Sequence, residues 1–343
     1  MRTLLALALS LLLPPPAFAA SVEVVMSGLD NPRGLAFAPD GALYVTESGR
    51  GGAGPCISVR GIAFCHGATG AVSRLQHGRQ QRVVEGLPSI ADAAGTETGG
   101  PNDISFQGNV GYVTIGFAGV APALRSEFGA AGNVFGHLLR LSPGGTWQVV
   151  ADISAHEQAN NPAGGPVETN PFAVLAEPGA RLVTDAAGNA LLRVAADGSI
   201  TTVATFPSRP FAPTDAVPTG FARVPDGAIY LGQLTGVPFA NGAASIFRIA
   251  SGEAPTVWQT GFKTIIDLDF AADGSLYVLQ HATGPVFFTG PGQVIRIAPD
   301  GSRAVVLGGL DRPTSLAVGP DGALYVANRG VTAMLGEVLR IVP

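Results

Sequence analysis

The sequence predicts an all-β chain folded as a six-bladed β-propeller, and three observations carry that reading. Tyr44, Tyr112, Tyr230, Tyr277 and Tyr325 each sit in a short apolar run, and all but the run of Tyr112 follow an Asp-Gly turn, as in Pro39-Asp40-Gly41-Ala42-Leu43-Tyr44-Val45. Val183 takes the same place in a weaker sixth copy, so the positions 44, 112, 183, 230, 277 and 325 are separated by 68, 71, 47, 47 and 48 residues. A repeat near that shortest spacing, made of short strands and tight turns, has the length of a propeller blade. Finally, the sixth unit stops at Pro343 after three strands, while the run Val22-Glu23-Val24-Val25-Met26-Ser27-Gly28 at the other end belongs to no unit of its own.

The leader, residues 1–20, precedes the repeats. Arg2 is a positive n-region, Leu4 to Leu13 an apolar h-region and Ala17-Phe18-Ala19 a small-x-small cleavage site. The apolar run is too short to cross a hydrocarbon core of about 30 Å, and no cysteine lies nearby to take a lipid. The expectation is a secreted or periplasmic protein with no membrane anchor after cleavage, residues 21–343 forming one propeller domain and working as a monomer.

Each blade reads as four strands. In the first these are Gly34 to Phe37, Ala42 to Thr46, Ala71 to Leu75 and Gln81 to Glu85. Third strands share an arginine (Arg74, Arg140, Arg193, Arg248, Arg296, Arg340), far from the axis and expected to link blade to blade. Outer strands are expected at Gln81 to Gly86, Trp147 to Ile153, Ile200 to Phe206, Pro255 to Gly261 and Arg303 to Gly309; the missing sixth is Val22 to Gly28, closing the ring and pairing its free edges. Insertions at Gly49 to Gly70, Phe117 to Gly136 and Ala155 to Thr169 crowd the first half and predict one rim over one face. Cys56 and Cys65 flank the first of these, and in an oxidising compartment they predict a disulfide; a metal or redox pair is the alternative, although the spacing fits neither a zinc ribbon nor a Cys-x-x-Cys motif.

Several chemistries find no support. Net charge is −5 and Lys263 is the only lysine, so no basic stripe exists for nucleic acid. There is no Gly-x-Ser-x-Gly elbow, no Gly-Lys-Ser/Thr phosphate loop and no zinc-type histidine spacing.

Inner-strand starts converge on a propeller's central channel. There the sequence places Arg33, Asn102, Asp103, Asn170 and Asp267, joined from the turns after second strands by Glu47, Asp185, Gln233, Asn328 and Arg329. Asn102, Asn170 and Asp267, oxygen donors on separate blades, would suit calcium, which takes six to eight hard oxygen ligands. Arg33 points instead to an anionic ligand held by its fork of donors, or to a pair with Asp267. A binding platform would use an apolar patch drawn from Phe117, Phe128, Phe135, Phe239 and Phe287-Phe288.

The repeat resembles six-bladed NHL-like and regucalcin/gluconolactonase-type lactonases, which implies a calcium-dependent hydrolase, although Arg33 stands where those enzymes carry a glutamate ligand. Asn31-Pro32-Arg33-Gly34-Leu35-Ala36-Phe37 through Glu47 is also similar to soluble quinone-dependent sugar dehydrogenases. Read end to end, the chain resembles the ScyD/ScyE family of exported propellers. That resemblance rests on Gly28 to Gly34, Gly51 to Cys56, Gly100-Pro101-Asn102-Asp103, Glu157 to Pro162, Asn170-Pro171-Phe172, Asp185 to Leu192 and Asn328 to Ile341. It implies export, a six-bladed ring and a role in pigment or secondary-metabolite maturation, with the bound small molecule or protein partner left open.

Overall fold

The computed structural model describes residues 20–59, 61–117, 120–142, 144–206 and 215–343, so all of the expected leader but Ala20 lies outside the described residues. Six antiparallel sheets follow one another around a ring, and neighbouring inner strands touch from Pro32–Phe37 through Pro101–Gln107, Pro171–Glu177, Pro218–Arg223 and Ile265–Phe270 to Ser315–Val318, which returns to the first. The ring closes as expected. Ser21–Leu29 is the outer strand of blade six, antiparallel to Gly336–Val342 from Ser21↔Val342 to Leu29↔Gly336. Without it the last blade would present an unpaired edge.

Each second strand carries a fully inaccessible apolar residue, at Val45, Val113, Val183, Leu231, Val278 and Val326. The residue before each pairs across the blade with the recurrent arginine: Tyr44↔Arg74, Tyr112↔Arg140, Tyr230↔Arg248, Tyr277↔Arg296 and Tyr325↔Arg340. In blade three that partner of Arg193 is Leu182, so the weak sixth copy aligns on Leu182 and not on Val183. The turn there is Pro178-Gly179, without the aspartate that marks blades one, four, five and six, so the repeat reads one residue late in the sequence. The arginines also bond differently from expectation. Arg248, Arg296 and Arg340 pair within their own blades, with the turn aspartates Asp226, Asp273 and Asp321 at 3.5, 2.9 and 2.7 Å. These pairs are open to water and contribute about 0.2–1 kcal/mol each.

The three insertions all lie on the face where inner strands begin. Cys56–Val59 pairs with the extended third strand Ile62–Gln76 as a hairpin tied by the Cys56–Cys65 disulfide. Pro122–Val134 forms 3-10 turns broken at Gly129. Ile153–Asn160 is an α-helix, started by the Asp152 carboxylate accepting from the Ala155 amide (2.8 Å) and stopped by Asn161 in the left-handed region before Pro162. Phe117, Phe128 and Phe135 pack together with Ile57 and Phe64 beneath this rim, so these three phenylalanines are its core and not a surface platform.

Candidate functional site

Proline opens five of the six inner-strand starts, at Pro32, Pro101, Pro171, Pro218 and Pro313. It lacks a ladder donor. In blades one to five the pairing with the second strand slips by a bulge just beyond the strand start. Bulges re-aim side chains, and residues from the two positions after these strand starts, Thr219 excepted, border the channel. The first of these positions reads Arg33, Asn102, Phe172, Thr219, Ile266, Thr314 around the ring, and the second Gly34, Asp103, Ala173, Gly220, Asp267, Ser315.

The second set repeats after three blades. A Cβ on Gly34 would lie 2.1 Å from Asp103 Oδ1, and one on Gly220 would lie 2.1 Å from Asp267 Oδ1. Each carboxylate therefore occupies the space left by a glycine in the preceding blade. Blades two and five stand opposite one another in a six-membered ring, so the two carboxylates face each other across the channel. Asp103 Oδ2 accepts from the Val174 amide (2.8 Å); Asp267 Oδ2 accepts from Ser315 Oγ (2.6 Å) and the Leu316 amide (2.9 Å). Burial holds Asp103 well above the usual carboxylate range, and the charge of Asp267 adds to this. Burial pushes Asp267 up to about 7 against those hydrogen bonds, and Asp269, which accepts from the Val318 amide, up to about 6.

The channel narrows here to a cavity of about 50 Å³ bounded by Arg33, Asn102, Asp103, Phe172, Asp267, His281 and Thr314. That holds one or two waters at about 30 Å³ each, or one small polar group. Arg33 keeps some solvent contact through the channel but is otherwise enclosed, and this desolvation lowers it to about 10. Its guanidinium donates to Thr98 Oγ1 (2.8 Å), and no carboxylate among the described residues lies within ion-pair distance of it. His281 places Nδ1 2.9 Å from the Pro313 carbonyl, so Nδ1 carries the proton and Nε2 is left as an acceptor. Burial lowers its pKa to about 4, aided by the charges of Arg312 and Arg33, so the ring is neutral at physiological pH.

The other expected site residues divide. Asn102 Nδ2 donates to the Pro171 carbonyl (2.9 Å) and lies 3.4 Å from Asn170 Oδ1, which also accepts from the Phe117 amide. An ion shared by Asn102, Asn170 and Asp267 would compete with the Asn102 and Phe117 donors for Asn170 Oδ1 and with Ser315 and Leu316 for Asp267 Oδ2. Among the described residues no group of three or more His, Cys, Asp or Glu side chains is arranged to hold a metal. Glu47, Asp185 and Asn328 each receive the backbone amide that precedes their own inner strand, from Asp30, Asn170 and Asp311 at 2.7, 2.7 and 2.8 Å. They are tethers within their blades. Glu47 also pairs with Arg82 (2.6 Å), and Arg329 lies 3.6 Å from Glu337. Gln233 is buried at the end of its strand, opposite Pro218.

Sequence reasoning placed Thr314 at an inner-strand start but missed Phe172, because it aligned on Asp-Gly turns. Aligning on the prolines would have placed it. Beside the throat lies an apolar lip that the phenylalanines only partly foretold. Phe239 stacks on Phe288 (4.2 Å between centroids) and Phe288 packs edge-on to His281 (5.0 Å), while Val237, Val286 and Phe287 are more than half exposed. A larger groove of about 670 Å³ runs between blades one and two on the opposite face, past Tyr44, Arg74 and Phe106, but none of the channel side chains reaches it.

No protein-family model matches the chain, and no curated relative does. Solved structures do. The soluble aldose sugar dehydrogenase from Escherichia coli aligns with a TM-score of 0.58 at 16% identity, over 95% of this chain and 100% of that one. A protein described as a gluconolactonase gives 0.55 at 14%, over 94% and 91%. Inactive virginiamycin B lyase from Staphylococcus aureus, crystallised with quinupristin, gives 0.53 at 13%, over 94% and 99%. The likeness is one of fold. Such neighbours are six-bladed propellers carrying a dehydrogenase, a gluconolactonase and a lyase, so the ring alone selects no chemistry.

Proposed function

We propose that this is an exported propeller that captures a small organic anion at the rim-bearing mouth of its channel. The observation that carries the reading is Arg33: a desolvated guanidinium with a hydroxyl partner and no carboxylate partner among the described residues, aimed at a space that fits one small polar group. An arginine fork suits a carboxylate or phosphate oxygen pair. Neutral His281 offers Nε2 as an acceptor for a hydroxyl or N–H elsewhere on the ligand, and carries no charge to oppose the anion at Arg33. The lip of Phe239, Phe287 and Phe288 would cover an apolar or aromatic body that is too large for the throat. The resemblance to ScyD/ScyE propellers makes aromatic secondary metabolites bearing a carboxylate the first compounds to try.

A hydrolytic or lyase reading rests on a different observation. Asp103 and Asp267 are two carboxyls held above their usual range across one channel, a pattern that can serve general acid and base work. Both are also tied to backbone amides of the next blade, which favours the binding reading.

Calorimetric titration with a panel of aromatic and aliphatic carboxylates tests the proposal. Arg33→Ala is expected to weaken the best of them about tenfold or more, given the ~1.5–3 kcal/mol of a charge-assisted hydrogen bond, with little change in melting temperature. A large fall in stability with unchanged affinity would reassign Arg33 to structure. Turnover of any panel member would move the reading to the carboxyl pair.

A further inference from the structure

Away from the channel, the insertion helix Ile153–Asn160 presses onto blade three and brings together two carboxylates that no cation offsets. A Cβ on Gly188 would lie 3.0 Å from Glu157 Oε2 and 3.0 Å from Asp185 Oδ2, so both oxygens flank a single point. Neither residue has an arginine, lysine or histidine within ion-pair distance among the described residues. Asp185 is already engaged on one side: Oδ1 accepts from the Asn170 and Gly188 amides, and Oδ2 from Thr169 Oγ1 (2.7 Å). That leaves one acceptor position on Oδ2.

Glu157 is only 2% exposed, yet its Oε1 has no hydrogen-bond partner. Asn161 Oδ1, one turn further on, is likewise buried without a partner, as is Ser154 Oγ one turn earlier. Ser154 Oγ faces Gly136, where an added Cβ would lie 1.6 Å away, and Asn161 lies past the helix end and donates Nδ2 to the Gly165 carbonyl, so Glu157 is the one of the three that meets blade three, beside Gly188. Orphaned buried acceptors are uncommon and ask for an explanation. The helix also ends here, with its last carbonyls directed toward Asn161, which favours positive charge.

The geometry points to a divalent cation of the calcium class bound between the insertion helix and blade three, held by the Glu157 and Asp185 carboxylates. Hard oxygens in irregular arrangement suit calcium, with water completing the six to eight ligands. The ion neutralises two carboxylates whose burial and mutual repulsion otherwise push Glu157 up to about 7. It fastens the helix, and with it part of the rim, to the ring. This inference stands independently of the anion site in the channel.

The test is a thermal melt of the full-length mature protein after EDTA treatment, with and without added calcium chloride, paired with a terbium luminescence titration. Calcium should raise the melting temperature of the wild type and of Asp267→Asn, and terbium should bind both. Glu157→Gln, which keeps shape and removes charge, should lose the rise and the luminescence. Gly188→Ala, which fills the point between the oxygens, should lose them too. A wild type that shows neither effect overturns the proposal. So does a response that survives Glu157→Gln and Gly188→Ala or disappears in Asp267→Asn, which would put the ion in the channel.

Discussion

Blades one to three and blades four to six solve the same joint in different ways. In the first half a threonine of the second strand spans the bulge and rivets the next blade. Thr46 Oγ1 accepts from the Gly34 amide and donates to the Asn102 carbonyl (2.8 and 3.1 Å); Thr114 does so between Asp103 and Phe172 (3.1 and 2.8 Å), and Thr184 between Ala173 and Thr219 (2.9 and 3.0 Å). The equivalent second-strand residues of the second half are Gly232, Leu279 and Ala327, which carry no hydroxyl. There the inner strand does the riveting itself: Thr219 to the Ile265 carbonyl, Ser315 to Asp267, and Thr314 to the Pro32 carbonyl. Moving the rivet off the inner strand frees its channel-facing side chains. Arg33 and Phe172 are consequently not spent on fastening blades, and the same three blades bear the insertions. Asp267, His281 and the Phe239–Phe288 lip border the channel from the other half, so both halves shape it.

The largest expected effect comes from the seam that joins the two halves. Ser21–Leu29 supplies the only outer strand of blade six and seats Met26 and Leu29 in the core. Deleting residues 21–29 should remove most of a domain stability of about 5–15 kcal/mol, seen by circular dichroism as loss of one cooperative melt. A melt like that of the full chain would mean that the halves hold together without closure.

The same division explains what was legible in the sequence. Blades four to six repeat at 47 or 48 residues because nothing is inserted, and every strand there was readable from tyrosine, turn and arginine. In the first half the blades and insertions could be located, but not how Phe117, Phe128 and Phe135 would pack, since their contacts lie between separate insertions. Arg33, Asn102, Asp103 and Asp267 were placed at the channel because strand starts must converge there. Glu47, Asp185 and Asn328 were misplaced toward the channel because position along a strand does not reveal whether a carboxylate turns inward or caps its own blade. The orphaned oxygens of Ser154, Glu157 and Asn161 have no sequence signal beyond their helical spacing.

Both halves carry the same close approach at the channel. Gly34 and Gly220 stand three blades apart, and a Cβ on either would meet an aspartate oxygen at 2.1 Å and its Cα at 2.5 or 2.6 Å. The latter contact is backbone and cannot rotate away. Gly34→Ala and Gly220→Ala should each cost about 3 kcal/mol or more, at the upper end of overpacking penalties, measured by denaturant unfolding. Similar losses would show that the carboxyl pair is framed equally on both sides. A much milder Gly34→Ala would mean that the inner ring of the first half yields more readily.

The smallest effect addresses the rivets directly. Thr184→Val keeps the shape of the side chain but leaves the Ala173 amide and the Thr219 carbonyl without their buried partner. An unsatisfied buried group costs about 1–3 kcal/mol, so a loss near 2 kcal/mol is expected, with ligand affinity at Arg33 unchanged because Thr184 lies behind the channel wall. In the other half Thr219→Val removes a rivet that is itself part of the inner strand and should cost a similar amount. If both variants lose stability alike and neither disturbs the channel, the two joints are equivalent as fasteners and differ only in what they leave free. If Thr184→Val alone weakens ligand binding, the second-strand threonines also position the inner-strand side chains, and the freedom of Arg33 and Phe172 depends on being held from behind.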